Sequence, residues 1–91
     1  MIELLSLNEN ILRTKYHVQE LLLFGSISKG NYNDYSDIDL LVSFNEPVGV
    51  GFLELVIFLN SILPRNVDLL TMNGVKKRFF EEIIKQSVKI L

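Results

Sequence analysis

The spacing of apolar residues along this chain changes several times, and each change marks an element. From about Ile2 to Thr14, Leu4, Leu7 and Ile11 recur at helical spacing and predict a first helix. Val18 to Phe24 predicts a strand: Leu21 to Phe24 are consecutive apolar residues closed by Gly25, as expected of a central strand covered on both faces. Residues 25–35, GSISKGNYNDY, read as a loop with one helical turn after Gly25. From Ser36 to Phe44 the period returns to two. Ile38, Leu40 and Val42 fall on one face, and Asp37, Asp39, Leu41 and Ser43 on the other, so the second face is acidic where the strand begins and apolar further along.

Asn45 to Gly51, with Pro47, Gly49 and Gly51, breaks the chain before a helix over Phe52 to Leu63. Phe52, Leu55, Val56, Leu59, Ile62 and Leu63 form its core stripe, which leaves Leu53, Ile57 and Phe58 as surplus apolar residues outside it. Val67 to Thr71 predicts a third strand and Asn73-Gly74 a turn. Val75 to Leu91 predicts a last helix that buries Phe80, Ile83, Ile84, Val88 and Leu91. The order is helix, strand, loop, strand, helix, strand, helix, an α/β (α+β) pattern. A helical crossover between the second and third strands predicts parallel pairing there, which sets Asp68 beside the strand of Asp37 and Asp39.

Composition narrows what such a chain can be. Ninety-one residues, 48% hydrophobic and 22% charged, predict one globular domain over 1–91 without room for a separate recognition domain. The net charge of −2 disfavours direct nucleic-acid binding through phosphate neutralisation. With no cysteine, disulfides, thiolate metal sites and cysteine nucleophiles are excluded, which fits a reducing, cytoplasmic setting. No stretch reads as a secretion signal or membrane span.

The chemistry gathers where the strands begin. Asp37 and Asp39 leave the same strand face, about 7 Å apart at a rise of roughly 3.3 Å per residue. Two carboxylates at the edge of a small apolar core disfavour each other's ionised forms, a conflict that a bound divalent cation removes. With Asp68 they make an oxygen ligand set suited to Mg2+, which shares its shell with substrate phosphates. The Gly25-Ser26 turn adds backbone N–H groups and a hydroxyl suited to an anion.

Gly25-Ser26, ten intervening residues and Asp37-Ile38-Asp39 resemble the GS-x10-DxD signature of the DNA polymerase β-type nucleotidyltransferase superfamily. Ser36-Asp37-Ile38-Asp39-Leu40-Leu41-Val42, then Val67-Asp68-Leu69-Leu70, is similar to its minimal nucleotidyltransferase (MNT) branch. The resemblance covers nearly the whole chain. It implies a polymerase β-like fold, a small mixed β-sheet of about three strands with helices packed against it. It also implies two Mg2+ ions on Asp37, Asp39 and Asp68, ATP as substrate at Gly25 and Ser26, and Asp68 as base toward an acceptor hydroxyl. Members are commonly encoded beside a helical HEPN-type protein, typically an RNase toxin. Some act as antitoxins by transferring AMP from ATP to a tyrosine of that partner. The implied function is therefore Mg-dependent protein adenylylation within a hetero-oligomer; the alternative is a weak or inactive nucleotide-binding module that neutralises its partner by complex formation. Many relatives carry a loop arginine where this chain has Ile27-Ser28-Lys29. Lys29, the candidate nucleotide contact there, keeps the charge without the bidentate fork.

Other polar residues read more plainly. Asp34 suits a turn, Glu46 and Glu54 a solvated surface, and His17 a surface helix-strand junction. Lys76, Lys77 and Arg78 form a solvated basic face that would also suit an acidic or RNA partner. Tyr32 and Tyr35 flank the site and suit packing and base stacking equally.

Overall fold

The computed structural model describes residues 2–25 and 37–91. Two short helices, α1 (Ile2–Leu7) and α2 (Glu9–Thr14), lead into β1 (Val18–Phe24). Then follow β2 (Ile38–Phe44), α3 (Gly51–Ile62), β3 (Val67–Thr71), a 3-10 turn (Met72–Gly74), α4 (Lys77–Gln86) and β4 (Val88–Lys89). The four strands form one mixed sheet in the order β3-β2-β1-β4. β1 pairs antiparallel with both β2 and β4, and β2 pairs parallel with β3, as the helical crossover requires.

One face of the sheet carries the main core. Leu21, Leu23, Ile38, Leu40, Val42, Val67 and Leu69 pack against Leu5 of α1, Leu12 of α2, Leu55 and Leu59 of α3, and Leu63 just after it. Val18 joins this face out of phase with Leu21 because β1 bulges: Val18 pairs with Phe44 but Glu20 with Ser43, and the extra residue resets the alternation. On the opposite face Leu22 and Leu41 are also buried, although they stand apart from that cluster. The stripe on α3 follows the predicted periodicity, with Leu55 and Leu59 fully buried. Leu59→Ala is expected to cost about 2–5 kcal/mol, since the cavity can collapse only in part. Urea denaturation midpoints measure it.

The structure corrects four expectations. The predicted single first helix is two, interrupted at Asn8, whose side-chain amide donates to the Leu4 carbonyl at 2.7 Å. The core then takes Leu5 and Leu12, seven residues apart, while Leu4 and Leu7 are exposed. The last helix ends at Gln86 rather than at Leu91: Ser87 is extended, with its hydroxyl donating to the Ile84 carbonyl at 2.9 Å. The β-branched residues that follow give a fourth strand on the free edge of β1, fixed by Ile90 N–H to the Leu21 carbonyl at 2.8 Å. Ile84 and Val88 are consequently exposed, and of the predicted buried set Leu91 alone is deeply buried. Finally, Phe58 is not surplus: its ring stacks on Tyr16 with centroids 5.0 Å apart. Leu53 and Ile57 do face outward, 63% and 70% exposed.

Candidate active site

One backbone hydrogen bond ties the entering end of β2 to the residue before β3, and Asn60 anchors the start of β3 to the crossover helix. Asn60, in the last turn of the crossover helix, donates its side-chain amide to the Val56 carbonyl at 2.9 Å, and its side-chain oxygen accepts the Val67 N–H at 3.0 Å. Ile38 N–H donates to the Asn66 carbonyl at 2.8 Å. These bonds set a register in which Asp39 lies directly beside Asp68, at the roughly 4.8 Å spacing of neighbouring strands. Asp37, two residues earlier, lies toward the same face and is exposed.

On its other side, Asp39 pairs across the sheet with Phe24, the last residue of β1. The next residue, Gly25, has φ 78°, a conformation that side-chain-bearing residues rarely adopt. A Cβ there would collide with Asp39 Oδ2 and lie 3.0 Å from its Cγ. Glycine is thus required twice, by backbone conformation and by the closeness of the carboxylate. The two halves of the sequence motif meet at this contact.

The electrostatics follow. Asp39 is half-buried, and its carboxyl is pushed above the ordinary value of 3.8, first by burial, then by the charge of Asp68 and then of Asp37. Among the described residues no lysine or arginine pairs with any of the three. The side chains share one end of one face, but among the described residues no three His, Asp or Glu groups converge to ligand distance. An all-carboxylate donor set fits a hard, oxygen-preferring divalent cation such as Mg2+.

Ser26 and Lys29, with Tyr32, Asp34 and Tyr35, lie outside the described residues. His17 lies away from the site at the start of β1, with φ 59° and its ring Nε2 3.1 Å from Glu46 Oε1, a junction role as its sequence position suggested. Lys76, Lys77 and Arg78 are exposed. A cavity of about 620 Å³ opens at the far ends of β2 and β3, lined in part by Phe44, Glu46, Phe52 and Met72, and includes none of the aspartates.

A mixed sheet with a glycine turn against paired strand-end carboxylates is the frame of a nucleotidyltransferase. The chain belongs to that family: residues 6–91 match the nucleotidyltransferase domain, and the protein is a nucleotidyltransferase. The chain is 31% identical over 88 residues to protein adenylyltransferase MntA of Thermococcus cleftensis, covering 96% of this chain and 89% of that one. It is 35% identical over 89 residues to a Methanocaldococcus jannaschii protein provisionally named a protein adenylyltransferase, covering 94% and 89%. Its fold is similar to a chain in a toxin-antitoxin crystal structure with AMP-PNP, at TM-score 0.75 and 25% identity over 94% of this chain and 72% of that chain. Among the described residues no helix is long and apolar enough to cross a membrane.

Proposed function

We propose that this nucleotidyltransferase transfers AMP from ATP to a tyrosine hydroxyl of a helical HEPN-type partner and so acts as its antitoxin. The observation that carries the reading is the register match of Asp39 with Asp68 against Gly25. The adenylyltransferase names of its relatives and the toxin-antitoxin complex holding an ATP analogue support it. We assign ATP phosphates to the turn at Gly25 and Ser26, with Lys29 as a further contact, and metal to Asp37, Asp39 and Asp68. Bound Mg2+ would supply charge neutralisation at the attacking and leaving oxygens.

In the proposed reaction the acceptor oxygen attacks the α-phosphorus of ATP, the bond to the bridging oxygen breaks, and pyrophosphate leaves with that electron pair. Asp68, the exposed member of the register pair, takes the hydroxyl proton. A cellular test is protection from the HEPN-type protein encoded alongside this chain. Wild type protects, whereas Asp37→Asn does not; equal protection by both would favour the second reading, neutralisation by complex formation. That second reading draws on the exposed Leu53 and Ile57 and on Lys29 in place of the loop arginine.

A stability prediction follows from the charge crowding. Because the folded-state pKa of Asp39 is raised, its contribution to apo stability is fully present below the unfolded value and is lost as pH rises through the folded one. At neutral pH the ionised carboxylate is therefore a cost, which Asp39→Asn removes. We expect apo melting at or slightly above the wild-type temperature for Asp39→Asn at pH 7, with the Mg2+-induced rise reduced or abolished. Thermal melts with and without Mg2+ measure both, and a large apo loss would make the aspartate structural.

A further inference from the structure

Behind the carboxylates, between the sheet and α4, lies a cavity of about 370 Å³ lined by Phe24, Gly25, Leu70, Val75, Phe79 and Ile83, with Glu82 and Gln86 among its polar lining. It shares Gly25 with the candidate phosphate turn, and Leu70 follows Asp68 by two residues along the same strand. Two of its walls are large apolar side chains left exposed, Leu70 at 38% and Phe79 at 47%. The Arg78 guanidinium lies 4.9 Å from the Phe79 ring centroid, which leaves an aromatic ring held at the cavity wall. Leu70, Arg78 and Phe79 have no role in the proposed transfer step.

We propose that this cavity is the nucleobase site, with Phe79 as the platform on which the base of the bound nucleoside triphosphate stacks. The inference rests on the assignment of the triphosphate to Gly25 and Ser26. A nucleotide with its phosphates at Gly25 has its base tethered within reach of a cavity that begins at the same residue. The cavity volume is that of a small-molecule site rather than of a hole for one side chain. Apolar and aromatic walls suit the π-face that every base has, and burial of a base there covers exposed apolar surface at the edge of the site.

The test compares Mg-ATP with Mg-tripolyphosphate, which has the phosphates and no base, by calorimetric titration of the whole protein. Wild type binds ATP more tightly than tripolyphosphate. Phe79→Ala weakens ATP by about ten- to a hundredfold, as loss of a stacking platform does, and leaves tripolyphosphate unchanged; Phe79→Trp retains the ATP affinity. Because Phe79 is half exposed, its truncation leaves the core in place, and matching melting temperatures check this. Unchanged ATP affinity in Phe79→Ala overturns the proposal, as does an equal loss for tripolyphosphate. Normal ATP binding with weakened use of the protein acceptor also overturns it and gives the cavity to the acceptor side chain. Wild type that binds both ligands equally overturns the base site alone, whereas wild type that binds neither overturns the nucleotide reading on which it rests.

Discussion

Asp39→Asn is expected to lower the rate of AMP transfer by about a hundred- to a thousandfold, the scale of losing one charged group aimed at the reacting phosphate. Asp39 is the member of the carboxylate set that neighbours each of the other described parts of the site. It lies in register beside Asp68, two residues from Asp37, across the sheet from Phe24 and against Gly25. Asparagine keeps its shape and removes its charge, so the fold is retained while the proposed oxygen ligand set loses a member. Initial rates with labelled ATP over a range of Mg2+ concentrations measure the effect. Rates within about twofold of wild type would remove Asp39 from the metal site, because loss of a genuine ligand costs at least tenfold.

Gly25→Ala is the second large effect, and Gly49→Ala is its control. Both glycines have positive φ, 78° and 52°, so each alanine carries a backbone cost of about 1 kcal/mol. Around Gly49 there is open space for a Cβ, and the backbone term stands alone. At Gly25 the added Cβ meets Asp39, which brings a further 1–3 kcal/mol or so of overpacking and drives the carboxylate out of place. Gly49→Ala is therefore expected to lose only about 1 kcal/mol and keep its transfer rate. Gly25→Ala is expected to lose about 2–4 kcal/mol and most of its activity. Denaturant midpoints and transfer rates on the two variants decide it; equal behaviour would mean that the Gly25-Asp39 contact does not matter.

Much of this arrangement was legible in the sequence because it depends on local periodicity. Alternation fixed which face of β2 is acidic, and a crossover of helical length dictated the parallel β2-β3 pair that brings Asp68 to Asp39. The departures occur where tertiary contacts outweigh local preference. Asn8 bonds back to Leu4 and splits the first helix, so the buried leucines are Leu5 and Leu12 rather than the predicted stripe. Val88 and Leu91 match a helical face by spacing, but the vacant edge of β1 offers backbone hydrogen bonds that a longer helix could not use. The closeness of Gly25 to Asp39 was not legible either. The motif gives their separation along the chain, whereas the contact arises from antiparallel register across β1 and β2. Phe79 gave no signal for a related reason: its neighbour Phe80 fits the apolar face of α4 better, and only the packed helix shows which ring borders the site.

Under the proposed function, the three aspartates serve group transfer to a partner protein. The most direct measurement incubates the purified protein with labelled ATP, Mg2+ and its HEPN-type partner, then locates the label by peptide mass spectrometry. AMP is expected on a partner tyrosine, dependent on Mg2+ and absent with Asp39→Asn. Neutralised partner carrying no AMP, or equal labelling by Asp39→Asn, would contradict it.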